Sequence, residues 1–150
     1  MIPELDAKGL LPIGVWDCSL EDISDRFAFN DHRRAIWDGF QRFLNDARWP
    51  DVLVAPIWID GSYCRSKAIP SDIDVVIDLS DRESHEAEEA ALRLRFRHSE
   101  IKARYHVDLW VRHPALPNDL AAFFQYVGDK AAVELQLQPK DQKGILRVLP

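Results

Sequence analysis

Carboxylates stand at alternate positions in Asp72-Ile73-Asp74, roughly ten residues after a Gly61-Ser62 pair, and a third, Asp108, interrupts the apolar run Val107 to Val111. Side chains two apart on a strand share a face, so Asp72 and Asp74 can reach one point. Two or three carboxylates converging there repel one another unless a divalent cation sits between them, and hard oxygen donors select Mg²⁺. Beside a nucleoside triphosphate, two such ions roughly 3.5–4 Å apart clamp the attacking and leaving oxygens of an in-line displacement. Gly61 lets backbone N–H groups approach a phosphate closely, and Ser62 adds a hydroxyl donor. Arg65 and Lys67, just beyond, are placed to neutralise triphosphate charge.

Each feature alone has a plainer reading. Gly-Ser after a strand is an ordinary turn, Asp-x-Asp on an alternating strand is a solvated face, and Arg65 and Lys67 are surface charges. Asp108 resists that treatment, because a free carboxylate among Val107, Leu109, Trp110 and Val111 is costly without a partner. The ordered set on three strands is what points to a site.

The elements that must position these residues follow from pattern. Residues 1–30, with Pro3, Gly9, Pro12 and Gly14, read as an irregular arm anchored by Leu10, Leu11, Ile13, Val15 and Trp16. From an N-cap at Asn30 or Asp31, the spacing of Ile36, Phe40, Phe43 and Leu44 predicts a helix up to Trp49-Pro50. Residues 52–59 read as a strand stopped by Asp60-Gly61-Ser62, with Pro56 suited to an edge or bulge. Residues 72–79 alternate as a second strand, 84–96 form a helix with acids early and bases late, and 105–111 form a third strand on which His106 and Asp108 share a face. A helix capped by Asn118 and ended by Gly128, then a strand over 144–149, close the chain. The expected fold is α/β (α+β), a small mixed sheet with helices on one face and the aspartates on the other. One domain is expected over 1–150, with its catalytic core at 52–111 and a C-terminal helix and strand within 112–150.

Composition bounds the rest. A chain of 150 residues, 47% hydrophobic and 29% charged, can bury one core and is too apolar for disorder. A net charge of −6 disfavours an extended nucleic-acid surface. No apolar stretch is long enough for a membrane span and the N-terminus has no signal-peptide pattern, so a cytoplasmic location is expected. Cys18 and Cys64 form no Cys-x-x-Cys pair, and the five histidines show no zinc-enzyme spacing. Cys64 reads as a loop-packing thiol, His106 as a structural or supporting group, Trp58 and Trp110 as core or as the site rim, and Glu83 to Glu89 as a solvated helix face.

Taken together, Ile59-Asp-Gly-Ser-Tyr-Cys-Arg-Ser-Lys67, Ser71-Asp-Ile-Asp-Val-Val76 and Val107-Asp-Leu109 resemble the nucleotidyltransferase superfamily that includes DNA polymerase beta and the bacterial minimal nucleotidyltransferases. The resemblance implies that Gly61 and Ser62 bind the nucleoside triphosphate, with ATP the expected donor. It implies Asp72 and Asp74 as ligands of two Mg²⁺ ions, and Asp108 as the ligand of the catalytic ion that also orients an acceptor hydroxyl. The acceptor stays open among a protein side chain, a tRNA end and a small molecule. The flanks, Leu11 to Trp16 and Lys143 to Leu146, look like small bacterial proteins carrying this core. They imply a place in a defence or toxin–antitoxin pair with a helical partner protein. The turn departs from the usual Gly-Ser-x-Ala-Arg-Gly by reading Gly61-Ser-Tyr-Cys-Arg-Ser66, which reshapes the phosphate loop. A catalytically silent nucleotide-binding or partner-binding module is the alternative on the same fold.

Overall fold

The computed structural model describes residues 1–116 and 125–150. Its sheet has five strands: β1 (Val15–Asp17), β2 (Ile57–Asp60), β3 (Ile73–Asp78), β4 (Val107–Arg112) and β5 (Ile145–Val148), in the spatial order β1-β5-β2-β3-β4. The sheet is mixed. β2 runs antiparallel to both β3 and β5, whereas β1 is parallel to β5 and β4 is parallel to β3. The parallel β3–β4 step needs a crossover, and α3 (His85–Phe96) and α4 (His98–Tyr105) supply it. Two further helices, α1 (Leu20–Phe27) and α2 (Asp31–Asp46), precede β2, and a short α5 (Asp129–Leu135) precedes β5.

Period-two alternation sorts the strand residues onto two faces. Ile57, Ile59, Ile73, Val75, Ile77, Val107, Leu109, Val111, Leu146 and Val148 belong to the main core, and Ile23, Phe27, Ile36, Phe40, Phe43, Leu94, Ile101 and Tyr105 from α1 to α4 close over them. Burying each such side chain contributes about 1.5–3 kcal/mol before entropy is counted. The opposite face carries Asp60, Asp74 and Asp108 near one end and the smaller cluster of Trp58, Val76 and Ile145 beside them. α5 joins neither, and buries Ala132 with Leu10 and Val127 in a third cluster.

Several expectations need correction. The arm over 1–30 is not irregular throughout, since it contains β1 and α1. Ser19 caps α1, its Oγ accepting from Asp22 N while Asp22 accepts from Ser19 N. Within the arm, Leu10 and Leu11 are buried but Ile13 and Val15 are exposed. The strand expected over 52–59 begins only at Ile57: residues 48–53 form turns, Val52 and Val54 are exposed, and Val54 has a positive φ of 41°. Residues 98–105 form α4, so Tyr105 belongs to a helix and not to the strand expected over 105–111, and His106 ends the helix in the left-handed conformation at φ 57°. His106 therefore does not share a strand face with Asp108. The helix expected from Asn118 lies outside the described residues for Leu120, Ala121 and Phe124, and Gly128 starts α5 instead of ending a helix. Among the described residues, no helix is long and apolar enough to cross a membrane.

Candidate functional site

The register of three strands builds the acidic wall. Asp60 on β2 lies opposite Asp74 on β3, and Asp74 lies opposite Asp108 on β4, so three carboxylates form a row across adjacent strands. Asp72, two residues before Asp74, stands just beyond the row. After β2 the chain turns through a single 3-10 turn, Gly61–Cys64. Gly61 has φ +78°, and a Cβ there would fall 1.7 Å from Asp74 Oδ2, so only glycine lets the turn lie against that carboxylate.

The structure brings all the predicted site residues to one cavity of about 390 Å³: Gly61, Ser62, Arg65 and Lys67 on the turn side, Asp72, Asp74 and Asp108 on the strand side. Lys102, Lys130 and Lys143 also line it. A cleft that sets carboxylates on one wall and includes five cationic side chains in its lining suits an anion that travels with a divalent cation.

Charge is unevenly balanced along the acidic row. Asp60 is buried and paired with the buried Lys143 ammonium, with burial pushing its carboxyl upward and Lys143 opposing that. Asp74 is pushed up to about 8, first by burial and then by the charges of Asp72, Asp108 and Asp60. Asp74 thus holds a proton at neutral pH, first because it is buried and then because its neighbours are anionic. Asp108 is compensated: its Oδ1 lies 2.6 Å from His98 Nε2 and its Oδ2 lies 3.7 Å from Lys102 Nζ. The same ammonium is 3.4 Å from Asp72 Oδ2. His98 in turn rests against Trp110, with ring centroids 4.9 Å apart.

The carboxyl groups of Asp72, Asp74 and Asp108 supply hard oxygen donors of the kind Mg²⁺ selects, with the Asp74 proton to be displaced. Among the described residues, no three His, Cys, Asp or Glu side chains are drawn into metal-ligating geometry. The Lys102 ammonium, within ion-pair distance of both Asp72 and Asp108, offsets their charge.

The phosphate-side loop is held from beneath by a residue that the sequence reading did not single out. Arg33 of α2 is fully buried, and its guanidinium donates to five backbone carbonyls: Phe27 at 3.0 Å, Ser62 at 3.2 Å, Tyr63 at 2.7 Å, Arg65 at 2.6 Å and Lys67 at 2.6 Å. Tyr63 returns a hydrogen bond from its hydroxyl to Arg33 O at 3.0 Å. Cys64 is buried and its thiol is pushed well up by burial, as fits a loop-packing role and not a nucleophile. Trp58 is buried, donating from Nε1 to Asp78 Oδ2 at 3.0 Å, and does not line the cavity.

His98, Lys102, Lys143 and Arg33 were not found from the sequence. The signal that was available for His98 and Lys102 is their spacing of four, which places them on one face of a helix. Nothing local marked Arg33 or Lys143.

Comparison with known proteins places the chain in one family. Residues 3–149 match the model described as "Family of unknown function (DUF6932)", and the chain belongs to that family. No curated protein and no solved structure matches it.

Proposed function

We propose that this member of the DUF6932 family is a Mg²⁺-dependent nucleotidyltransferase. It moves a nucleoside monophosphate from an NTP, with ATP the expected donor, to a hydroxyl acceptor, and pyrophosphate leaves. The observation that carries the reading is the pairing of Asp74 with Asp108 in register, beside Asp72, across one cavity from Gly61, Ser62, Arg65 and Lys67.

Bound Mg²⁺ would supply charge neutralisation at the phosphates and a more acidic acceptor hydroxyl. Asp72, Asp74 and Asp108 would hold it. The chain's own residues do the remainder. Arg65 and Lys67 offset charge on the distal phosphates, and the Gly61-Ser62 turn offers N–H and hydroxyl donors. Asp74 gives up its proton as the site is loaded, so the acidic row gains charge only when that charge is met. Lys102 must leave Asp72 and Asp108, whereas His98 keeps Asp108 oriented through Oδ1.

Incubation with labelled NTPs, Mg²⁺ and separate protein, tRNA and small-molecule acceptors tests the proposal. Label transfer is expected to one of the three. Equal transfer by the natural chain and by Asp72→Ala/Asp74→Ala would sink it.

One observation favours a second reading. Lys102 already offsets the charge of Asp72 and Asp108, and His98 occupies Asp108 Oδ1, the arrangement expected of a catalytically silent nucleotide-binding or partner-binding module. That reading requires ATP binding that is indifferent to Mg²⁺ and no transfer to any acceptor. Lys102→Ala separates the two, since it raises Mg²⁺ affinity in the enzyme and leaves the module's ATP affinity equal or weaker.

A further inference from the structure

The two cations assigned to the distal phosphates already hold an anion. Glu134 of α5 reaches across the cavity's edge, its Oε2 accepting from Arg65 Nη2 at 2.6 Å and its Oε1 from Lys67 Nζ at 3.1 Å. One carboxylate thus presents one oxygen to each cation, as two oxygens of a phosphate would. The Arg65 side chain is only 10% exposed, so its charge requires a partner, and Glu134 is that partner.

We infer that Glu134 is an internal stand-in for phosphate: it and the terminal phosphates of a di- or triphosphate compete for Arg65 and Lys67, and the ligand enters by displacing it and releasing α5. The inference deepens the nucleotide reading of the cavity and rests on it. Three features make the exchange feasible.

Arg65 is fixed at its backbone, because Arg33 holds the carbonyls of Ser62, Tyr63, Arg65 and Lys67. The cations therefore stay in place while the carboxylate moves. α5 is loosely attached: it spans seven residues, it buries Ala132 alone, and Val133 is 83% exposed. Among the described residues, beyond the cluster of Leu10, Val127 and Ala132 on which Ala131 and Leu135 also pack, its ties are the Glu134 ion pairs, a hydrogen bond from Lys8 Nζ to Leu135 O at 3.0 Å and one from the N-cap Gly128 N to Pro139 O at 2.9 Å. A segment with so few buried contacts opens at low cost. Finally, Asp129, Lys130 and Ala131 of its first turn line the cavity, so the movement that frees Arg65 and Lys67 also widens the entrance.

Calorimetric titration of the full chain with tripolyphosphate, and with ATP plus Mg²⁺, tests this in three variants. Glu134→Gln keeps the side chain's shape but removes its charge, and should bind tripolyphosphate about tenfold more tightly than the natural chain, the scale of two partly exposed ion pairs. Arg65→Gln/Glu134→Gln should show no such gain over Arg65→Gln. Hydrogen exchange needs no substitution: amides of 129–135 should exchange faster in the natural chain once tripolyphosphate is saturating. Equal affinity in the natural chain and Glu134→Gln, or unchanged protection of 129–135 at saturation, overturns the exchange while leaving a nucleotide site intact. Failure of the natural chain and Glu134→Gln to bind either ligand overturns both the exchange and the nucleotide reading.

Discussion

Arg33→Met is the most direct test of how the phosphate-side loop is held. Methionine keeps the stem's apolar volume and removes the guanidinium, so the carbonyls of Phe27, Ser62, Tyr63, Arg65 and Lys67 lose their donor together. Hydrogen bonds from a charged donor contribute about 1.5–3 kcal/mol each, but burying a guanidinium costs several kcal/mol and offsets much of the sum. Water also reaches some of the freed carbonyls, because Ser62 and Lys67 are only half-buried. The net loss expected is about 3–5 kcal/mol, the range for removing one partner of a buried charged network. At roughly 2–4 °C per kcal/mol for a chain of this size, melting should fall by about 6–20 °C. Arg33→Lys should lie between, since an ammonium has three donors for five carbonyls. The assay is thermal unfolding followed by circular dichroism, with hydrogen exchange over 61–67. Melting of Arg33→Met within about 2 °C of the natural chain, with 61–67 equally protected, would show that the loop is held by something other than Arg33.

Two further substitutions address the acidic row. Gly61→Ala should force Asp74 aside, because its new Cβ would meet Asp74 Oδ2 at 1.7 Å and φ +78° already strains an L residue; label transfer should be lost at a stability cost of about 1–3 kcal/mol, and full activity would contradict the close approach. Asp74 holds its proton up to about pH 8 when folded against 3.8 as its ordinary value, so its contribution to stability is whole below about pH 4 and is lost as pH rises through about 8. In EDTA the melting temperature should therefore decline over that window, and Asp74→Asn should flatten the decline. Mg²⁺ should stabilise the natural chain more at pH 8 than at pH 6, since at pH 6 it must displace the proton. Equal Mg²⁺ effects at both pH values would refute the assignment of Asp74 as a ligand.

The elements that were legible in the sequence are those whose period is long and clean. Ile36, Phe40, Phe43 and Leu44 marked α2, and its Asn30 cap accepts from Arg33 N at 2.8 Å as the residue type suggested. The alternation of 72–79 marked β3, observed over Ile73–Asp78, together with the face each side chain takes. β1 escaped because it is three residues long, partly exposed, and formed only by pairing with β5 from the far end of the chain. α4 escaped because Arg97 both ends α3 and begins α4, so no loop residues separate the two helices. α1 was discoverable, for Ser19 and Asp22 are a capping box, but the glycines and prolines around it dominated the reading.

The candidate site divides along the same physical line. Gly61, Ser62, Asp72, Asp74 and Asp108 are recognisable because strand periodicity and a glycine turn dictate local geometry, and local geometry is written in neighbouring residues. The groups that set the site's charge come from elsewhere. Lys143 meets Asp60 from two residues before β5, His98 and Lys102 meet Asp108 from the crossover, and Glu134 meets Arg65 from α5. These contacts exist only because the sheet order β1-β5-β2-β3-β4 brings distant segments to one end of β2 and β3. The consequence is chemical. The motif alone suggests an open acidic cleft awaiting cations, whereas the folded chain meets Asp60, Asp72 and Asp108 with its own cations and leaves Asp74 to take a proton. Any ligand of this cavity must compete with lysine, histidine and glutamate already in place, so its affinity reports the difference between two sets of charged contacts and not the strength of one.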